Sequence, residues 1–236
     1  MRTVAAVLAG GKGERTGLGV PKQLIMLAGK TVIEHSVAAF SATPQIDEII
    51  VVMTPGRTGE VADLLSLGGH DKVSRVLEGG ETRSDSAQRA IAALGGEECD
   101  VLLHDAARPL VSRQIIDSCV TTLDAYQAVG VTMPTSDTIV VTRAGVITQM
   151  PSRETLHRCQ TPQGFRLSVI QRAYGLAAAD PGFTATDDCG VVLRYLPDVP
   201  IAVVAGSERN IKITYPDDIV VAEALLRRQV THHSPG

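Results

Sequence analysis

Short apolar runs alternate with amphipathic segments along most of the chain. The runs contain mainly β-branched and aliphatic residues, as do strands buried on both faces of a parallel sheet, and they lie at residues 4–8, 49–53, 101–104 and 129–133. The segments between them repeat apolar residues at helical spacing, most clearly at residues 31–40 and 84–94. Strands that alternate with helices indicate crossover units, so the pattern predicts an α/β fold with a doubly wound, mostly parallel sheet.

The second half of the chain continues this alternation. Ser112 is suited to cap a helix that follows it, and two more helices are predicted at residues 167–178 and 187–195. Strands are predicted at residues 201–205 and 210–214. Residues 214–218 open the last helix, with Pro216 in its first turn and two acidic residues near the positive end of the helix dipole.

Residues 135–165 interrupt this rhythm. Two short strand-like runs, 138–142 and 146–150, flank Arg143-Ala144-Gly145 and indicate a hairpin, whereas the segment from 151 to 163 is predicted to be irregular. Because an isolated hairpin is marginally stable in water, we expect it to pack on a second subunit. We therefore predict a homodimer of one domain over residues 1–230, with an arm at about 135–165 and a disordered tail at 231–236.

The composition excludes several classes of protein. The chain has 236 residues, of which 44% are hydrophobic, and this is enough for a large core. A net charge of −4 disfavours a general nucleic-acid binder but allows a nucleotide substrate in a local basic pocket. No apolar run is long enough to cross a membrane. Four well-separated cysteines without a C-x-x-C pair are typical of reduced thiols, so we expect a cytoplasmic protein.

A glycine-rich loop follows the first predicted strand, where residues 8–23 read LAGGKGERTGLGVPKQ. Gly10, Gly11 and Gly13 have no Cβ, so backbone N–H groups can approach phosphate oxygens, and Arg15 and Lys22 supply positive charge. The loop contains neither G-x-x-x-x-G-K-[ST] nor G-x-G-x-x-G, which disfavours a P-loop enzyme and a dinucleotide-dependent dehydrogenase. It resembles instead the signature loop of nucleotidyltransferases, which hold a nucleoside triphosphate.

Two further motifs lie at turns or strand ends. Residues 79–86, GGETRSDS, form a glycine turn before a helix, where the backbone and Ser86 could read a base or ribose, or the serine could simply cap the helix. Residues 104–109, HDAARP, follow a buried strand. Asp105 is placed there to hold Mg²⁺, directly or through water, and Arg108 either neutralises a substrate phosphate or forms a structural pair with Asp105. We interpret His104 as a packing residue.

The remaining motifs belong to the later part of the chain. Arg153 lies just after the hairpin, where it is either functional or solvated, and QTPQ follows at residues 160–163. In NIKIT, residues 210–214, the alternation predicts that Lys212 points towards the cleft. The motifs are rich in cations and show no Ser-His-Asp triad, Cys-His pair or His-rich metal spacing. This favours phosphoryl-type transfer, in which positioning and charge neutralisation do most of the catalysis.

Taken in order, the motifs AGGKGER, PKQ, GGETRSDS, HDAARP, DTI, QTPQ, TDD and NIKIT resemble those of the cytidylyltransferases that act on polyol phosphates. The resemblance covers about residues 3–225. Two branches are similar: the 2-C-methyl-D-erythritol 4-phosphate cytidylyltransferases of non-mevalonate isoprenoid biosynthesis and the ribitol-5-phosphate cytidylyltransferases of cell-wall polymer synthesis. The resemblance implies a Rossmann-like sheet with a protruding hairpin arm, and a Mg²⁺-dependent reaction of CTP with a polyol phosphate that releases pyrophosphate.

The resemblance also implies roles for individual residues. Nucleotide binding is implied for Leu8, Ala9, Gly10, Gly11, Lys12, Gly13, Gly80, Glu81, Ser86 and Ala106. Catalysis is implied for Arg15, Lys22, Lys212 and Asp105, of which Asp105 also positions the metal. Binding of the polyol phosphate is implied for Arg108, Thr138, Arg153 and Thr186. In the family the arm reaches across a homodimer, so Arg108, Thr138 and Arg153 are expected to serve the neighbouring subunit's site.

The motifs divide between the two branches. Ala9-Gly10-Gly11 and Thr138-Ile139-Val140 are closer to the ribitol type, whereas Ala107, Ser152-Arg153 and Thr186-Asp187-Asp188 favour the methylerythritol type. We expect methylerythritol phosphate as the acceptor, with ribitol 5-phosphate as the second candidate. An enzyme that makes a sugar nucleotide from UTP or GTP and a non-catalytic nucleotide-binding paralogue are also compatible with a nucleotide loop. The compact HDAARP motif and the arm disfavour the first, and the intact set of cations disfavours the second.

Overall fold

The computed structural model describes residues 1–11, 21–180, 182–183 and 185–231. The strands are β1 (Thr3–Ala9), β2 (Met26–Leu27), β3 (Lys30–Thr31), β4 (Glu48–Met53), β5 (Val73–Glu78), β6 (Asp100–Asp105), β7 (Ala128–Pro134), β8 (Val141–Arg143), β9 (Val146–Gln149), β10 (His157–Arg166) and β11 (Ile201–Ala205). The α-helices are α1 (Val32–Ser41), α2 (Thr58–Leu67), α3 (Arg83–Ala93), α4 (Arg113–Leu123), α5 (Leu167–Ala178), α6 (Asp188–Tyr195) and α7 (Pro216–Thr231).

Seven strands form one sheet in the order β11-β7-β10-β6-β1-β4-β5. Neighbouring strands are parallel, except that β10 runs antiparallel to both β6 and β7. The predicted strands at residues 4–8, 49–53, 101–104, 129–133 and 201–205 all lie in this sheet. The prediction of a doubly wound, mostly parallel α/β fold is therefore confirmed.

Successive residues of β1 face opposite layers of helices, as the two-residue period of a strand requires. Val4, Ala6 and Leu8 belong to one apolar cluster with residues of α3, α5 and α6. Ala5 and Val7 belong to a second cluster with residues of α1, α2 and α4. Because both faces of the strand are covered, its sequence is apolar throughout instead of alternating with polar residues.

Polar side chains fix the starts of several helices. Thr31 and Thr82 each form a capping box at the N-terminus of α1 and α3, with Glu34 and Asp85 as the reciprocal partners. Ser112 caps α4 by accepting the N–H of Ile115, as predicted. The predicted helices at 31–40, 84–94, 167–178 and 187–195 correspond to α1, α3, α5 and α6 within one residue at each end.

The prediction of an irregular segment up to residue 163 is wrong, because His157–Arg166 forms the central strand β10. Pro162 has no backbone N–H and normally disfavours a central strand. Here the register between β10 and β7 shifts between Cys159 and Gln163, and the proline lies at this irregularity. The hairpin of β8 and β9 is found as predicted, but the arm that carries it is shorter and spans residues 135–156.

The C-terminal part of the chain and the segment between β4 and α3 differ in part from the predictions. Residues 210–214 lie in no strand, so that prediction is wrong; α2 and β5 were not predicted. The last helix begins at Pro216 and continues to Thr231, whereas residues 232–236 of the predicted tail lie outside the described residues. Among the described helices, none is long and apolar enough to cross a membrane.

Candidate active site

β1 and β6 end side by side at one edge of the sheet, where the register pairs Leu8 with Asp105. The glycine loop therefore starts beside Asp105, and the N-terminus of α3 lies opposite. A cleft between these elements, which we call the loop cleft, is lined by Leu8, Gly10, Gly11, Lys22, Gln23, Glu81, Thr82, Arg83, Ser86, Asp105, Ala107 and Lys212. Ligands of open α/β sheets bind beyond the carboxyl ends of strands, which is where this cleft lies.

Asp105 is a buried carboxylate held between two cations. Arg83 donates from Nε to Oδ1 at 2.7 Å, and Nζ of Lys212 lies 2.7 Å from Oδ2. Burial alone would raise the pKa of Asp105, but Arg83 and Lys212 outweigh it and hold this pKa well below its usual range. The carboxylate is therefore ionised throughout the physiological pH range.

Arg83 connects Asp105 to a second buried carboxylate. Nη1 of Arg83 lies 2.8 Å from Oδ2 of Asp188, whose side chain is fully buried. The hydroxyl of Tyr174 donates to Oδ1 of Asp188 at 2.6 Å. Burial would lower the pKa of Arg83, but the carboxylates of Asp188 and Asp105 raise it above its usual value. The guanidinium is therefore a permanent charge between two carboxylates.

Lys212 lies on a segment outside the strands and helices that is anchored on both sides. The buried amide of Asn210 donates to Oε1 of Gln160 at 3.1 Å and to the carbonyl of Thr161 at 2.9 Å. The N–H of Ile213 donates to the carbonyl of Ala107 at 2.8 Å. Lys22 donates to the carbonyl of Ile213 at 3.1 Å, which brings Lys22 and Lys212 to the same cleft.

The start of the glycine loop is fixed by Gln23 and packs closely on α3. The buried amide of Gln23 donates to the carbonyl of Gly11 at 2.8 Å and also to that of Ala9. A Cβ on Gly10 would lie only 2.6 Å from Oγ of Ser86, so a glycine permits this close approach. The predicted site residues Lys12, Gly13 and Arg15 lie outside the described residues.

The turn before α3 forms the opposite wall of the loop cleft. The N–H of Gly80 donates to Oγ of Ser86 at 3.2 Å, and that hydroxyl donates to the carbonyl of Thr82 at 3.1 Å. Ser86 therefore stabilises the turn, while Thr82 is the N-cap of the helix. Glu81 lines the cleft beside them. The positive end of the α3 dipole, together with the backbone of this turn, favours an anionic ligand.

A second pocket, which we call the side pocket, shares Arg83, Asp105 and Lys212 with the loop cleft. Its other lining residues come from β10 and the loops around it: Arg108, Cys159, Gln160, Thr161, Gln163, Thr186 and Asp187. Arg108 donates to the carbonyl of Asn210 at 2.7 Å, and burial lowers the pKa of this arginine. Gln163 accepts the N–H groups of Asp188 and Cys189 at 3.0 and 2.9 Å, which fixes the loop that carries Thr186.

The structure brings many of the predicted site residues to the two pockets. Ala106 is fully buried, and Ala107 lines the loop cleft in its place. Thr138 and Arg153 are exposed on the arm and do not line either pocket of the described chain. Arg108 was expected to serve a neighbouring subunit, but it lies in its own chain's side pocket because it follows Asp105 by only three residues.

Several residues at the site were not singled out from the sequence. They are Gln23, Arg83, Thr161, Gln163 and Asp188, and each contacts a partner that is distant in sequence. Arg83 and Asp188 are charged residues within the motifs GGETRSDS and TDD, and this position is the one sequence feature that marks them as candidate site residues. Their pairing could not be predicted because it depends on the way α3 and α6 approach the end of β6.

His104 is a packing residue, as interpreted from the sequence. It is fully buried, its ring lies edge-on against Phe40, and its two nitrogens contact Oγ1 of Thr161 at 3.1 Å and the carbonyl of Arg108 at 3.2 Å. Burial lowers the pKa of His104 to about 4. The neutral imidazole thus supports the turn between Asp105 and Arg108.

Comparison with known proteins matches the chain to one family. The family model described as 2-C-methyl-D-erythritol 4-phosphate cytidylyltransferase (IspD) matches residues 3–228. The chain belongs to this family. The family-wide match also confirms the resemblance drawn from the ordered motifs, and it identifies the chain as a cytidylyltransferase.

Relatives of the family include both kinds of acceptor chemistry. The 2-C-methyl-D-erythritol 4-phosphate cytidylyltransferase of Thermobifida fusca (strain YX) is 54% identical over 236 residues, covering 97% of this chain and 95% of the relative. The bifunctional ribulose 5-phosphate reductase/CDP-ribitol pyrophosphorylase Bcs1 of Haemophilus influenzae is 40% identical over 230 residues, covering 96% of this chain and 48% of that protein.

A solved structure of the same family has the same fold. The 4-diphosphocytidyl-2C-methyl-D-erythritol synthase of Anaerococcus prevotii DSM 20548 superposes with a TM-score of 0.85 at 28% identity, covering 96% of each chain. The 2-C-methyl-D-erythritol 4-phosphate cytidylyltransferase of Thermus thermophilus gives a TM-score of 0.76 at 31% identity, covering 95% of this chain and 98% of that one. The Rossmann-like sheet is therefore that of the family.

The residues at the loop cleft fit the Mg²⁺ that the family resemblance implies. Among the described residues, no group of three or more His, Cys, Asp or Glu side chains could hold a metal ion by itself. Mg²⁺ at nucleotide sites is commonly held by one or two carboxylates together with waters and substrate phosphates. Asp105 offers one ionised carboxylate at the point where the loop cleft meets the side pocket.

Proposed function

We propose that the chain transfers the CMP group of CTP to 2-C-methyl-D-erythritol 4-phosphate and releases pyrophosphate, with Mg²⁺ as cofactor. The observation that carries this proposal is the shared wall of Asp105, Arg83 and Lys212 between two pockets. The glycine loop borders one pocket and Arg108 lines the other, so a nucleoside triphosphate and a phosphate acceptor can meet at this wall. The 54% identical relative bears the name of this activity.

The reaction is an in-line displacement at phosphorus. An oxygen of the acceptor phosphate forms a bond to the α-phosphorus of CTP, and the bond from that phosphorus to the bridging oxygen breaks. The electron pair leaves with pyrophosphate. Because a phosphate monoester is largely dianionic near neutral pH, no base has to remove a proton and no covalent enzyme intermediate is required. Catalysis then depends on positioning and on charge neutralisation.

The cations of the two pockets are arranged for these tasks. Lys212 lies at the shared wall, where it can neutralise charge on both reacting phosphates. Lys22 lies on the side of the loop cleft, where it can neutralise the triphosphate, and Arg108 lies in the side pocket, where it can hold the acceptor phosphate. Asp105 would hold Mg²⁺, which supplies further charge neutralisation at the phosphates when it is bound.

We infer that a second copy of the chain completes the acceptor side. The hairpin arm exposes six large apolar side chains, Ile139, Val140, Val141, Val146, Ile147 and Met150. A concentration of exposed apolar side chains on one hairpin is typical of a protein interface. Thr138 and Arg153 lie on the same arm, so a homodimer that covers the hairpin would carry them towards the partner's side pocket.

The proposal is tested by measuring pyrophosphate release with Mg²⁺ and CTP, comparing 2-C-methyl-D-erythritol 4-phosphate with ribitol 5-phosphate. We expect a preference of at least about 100-fold in kcat/KM for the methylerythritol substrate, which corresponds to about 2.7 kcal/mol. UTP and GTP in place of CTP serve as nucleotide controls. We also propose a cytoplasmic location, which the four free cysteines support.

Ribitol 5-phosphate is the second candidate acceptor, because Bcs1 carries a CDP-ribitol activity in its name and Ala9-Gly10-Gly11 resembles the ribitol type. A preference for ribitol 5-phosphate would replace the acceptor in the proposal and keep the cytidylyltransferase. Failure to release pyrophosphate with either acceptor would overturn the proposed reaction.

A further inference from the structure

Asp105 is held by two cations that are themselves held very differently. Arg83 is anchored at its far side by Asp188, and its side chain is 25% exposed. Lys212 is 38% exposed, and its charge is a single ammonium on a flexible stem. A phosphate that enters the loop cleft competes with Asp105 for both cations. The cation that can leave Asp105 at the lower cost in free energy is the one available to the phosphate.

Release of Arg83 would leave the buried carboxylate of Asp188 without a counter-charge. Asp188 is fully buried, and its carboxylate is compensated by Arg83 on one oxygen and by the hydroxyl of Tyr174 on the other. Removing the cation from a buried ion pair leaves an uncompensated charge in a low-dielectric interior. Release of Lys212, whose side chain already reaches solvent, leaves Asp105 paired with Arg83 through Oδ1, so no buried carboxylate loses its last cation.

We propose that Arg83 is a positioning residue, fixed by Asp188 and Tyr174, which keeps Oδ1 of Asp105 in place while Lys212 leaves Oδ2 for the phosphates. This inference rests on the proposed function, since it concerns the step at which CTP enters. Oδ2 of Asp105 then faces the nucleotide, where it is available to the Mg²⁺ that accompanies CTP. The buried Asp188–Tyr174 pair thus acts on the reaction through two intervening side chains and does not touch the substrate.

The shape of the guanidinium suits this role. Nε of Arg83 donates to Asp105 at 2.7 Å, while Nη1 lies 2.8 Å from Oδ2 of Asp188 in an ion pair, so one rigid guanidinium faces both carboxylates. A lysine could satisfy one carboxylate but could not fix the angle between both. The orientation of the Asp105 carboxylate is therefore set by the position of Asp188, which lies at the start of α6.

The test compares Asp188→Asn and Arg83→Lys with a matched control at the other end of β6. Asp100 is also a buried aspartate paired with an arginine, Nη1 of Arg166, at 2.8 Å, but it begins the strand that Asp105 ends. Asp100→Asn therefore breaks a similar buried ion pair far from both pockets. For each protein we would measure the melting temperature, kcat and KM, and the affinity for CTP by calorimetry with and without Mg²⁺.

We expect Asp188→Asn and Arg83→Lys to lower kcat by roughly 10- to 100-fold, as the loss of a group that orients a metal ligand typically does. CTP affinity without Mg²⁺ should stay within about twofold of wild type, whereas the gain in affinity on adding Mg²⁺ should shrink, because only the latter uses Asp105. Asp100→Asn should lower the melting temperature but leave kcat and the Mg²⁺ effect unchanged.

The proposal is overturned if Asp188→Asn loses stability as Asp100→Asn does but keeps the wild-type kcat and the wild-type Mg²⁺ effect. If Asp188→Asn does not fold, Tyr174→Phe decides instead; it should lower kcat and the Mg²⁺ effect by roughly three- to tenfold, and no change would overturn the proposal. A wild-type chain that binds CTP but transfers no CMP would overturn the proposed function alone, since the calorimetry would still decide the role of Arg83.

Discussion

The centre around Asp105 and the hairpin arm differ in how fully their side chains are paired or buried within one chain. At Asp105 the charges are paired, the carboxylate is buried and the neighbouring segments are tied together by hydrogen bonds. On the arm, Val146 and Ile147 are 63% and 58% exposed, and among the described strands β8 and β9 pair only with each other. The described residues around Asp105 are thus held together within one chain, whereas the apolar side chains of the arm stay exposed in the described part of it.

This difference indicates a division of labour between the two regions. A prepositioned set of charges is what transfer at phosphorus requires, because most of the catalysis comes from electrostatics that need no rearrangement. A hairpin that presents apolar residues is suited to recognise another copy and to carry acceptor contacts with it. Substitutions in the two regions should therefore separate catalysis from acceptor binding and assembly.

The largest effect is expected from Lys212→Ala at the centre. Its ammonium is proposed to neutralise charge that develops during transfer, so kcat should fall by about 10²- to 10³-fold, with a much smaller change in CTP affinity. Steady-state pyrophosphate release and calorimetry measure the two quantities. Lys72→Ala is the control, because Lys72 donates to the carbonyl of Thr43 and lines neither pocket. An unchanged kcat would remove Lys212 from the mechanism.

A pH titration should show that the stability of the centre depends on neutral His104. Burial lowers the pKa of His104 from 6.5 to about 4, so the unfolded chain binds a proton at higher pH than the folded chain. The stabilisation is complete above pH 6.5 and is lost as the pH falls towards 4, by up to about 3 kcal/mol. Carboxylates such as Glu48, whose pKa is lowered to about 2, lose their contribution only below pH 4.5.

Urea unfolding at pH 7 and pH 4.5 measures this dependence. His104→Gln should flatten the curve between these values, because glutamine can donate and accept hydrogen bonds without taking up a proton. His70, whose pKa burial also lowers, keeps its own part of the slope in this variant. An equally steep slope in His104→Gln would show that another group carries the pH dependence.

The sequence was sufficient to predict the regions whose patterns are local. The apolar run of β1 and the capping residue Ser112 lie within short windows, so this strand and the start of α4 could be predicted from them. The loop cleft could be predicted for the same reason, since parallel strands end at a common edge and the motifs follow β1 and β6 directly.

The parts that could not be predicted depend on distant contacts. β10 combines polar residues with Pro162, and only its position between β6 and β7 makes it a strand. Lys212 was predicted to lie on a strand, but hydrogen bonds from Asn210 and Ile213 fix it in a segment outside the strands and helices. The Arg83–Asp188 pair is another contact of this kind, because it links the starts of two helices that are remote in sequence.

A smaller effect is expected from Arg153→Ala on the arm. Arg153 is proposed to contact the acceptor phosphate in the partner's site, and loss of a charge-assisted hydrogen bond there should raise the acceptor KM by about 10- to 100-fold. CTP affinity should stay near the wild-type value. Arg158→Ala is the control, because Arg158 is an exposed arginine at the base of the arm that pairs with Glu208. A loss confined to CTP binding would contradict the assignment of the arm.

Mixing the two defective enzymes tests whether the arm acts across a dimer. Lys212→Ala and Arg153→Ala carry defects in different regions, so a hybrid dimer has one site with both defects and one intact site. After exchange of subunits, an equal mixture assayed below the wild-type acceptor KM should recover about a quarter of wild-type activity, since half of the dimers are hybrid and half of their sites are intact. Activity no higher than the average of the two variants would place Arg153 in its own chain's site.

The smallest effect is expected from Val146→Thr, which keeps the shape of the side chain and replaces a methyl group by a hydroxyl. If the hairpin is covered by a second copy, burying that hydroxyl should weaken the dimer by about 1 kcal/mol for each copy. Sedimentation or light scattering over a dilution series measures the dissociation constant. Val203→Thr is a matched control, because Val203 is 66% exposed on β11, outside the arm. If both substitutions change the dissociation constant equally, the apolar side chains of the arm are not the dimer contact. The proposed role of Arg153 across subunits would then lose its structural basis.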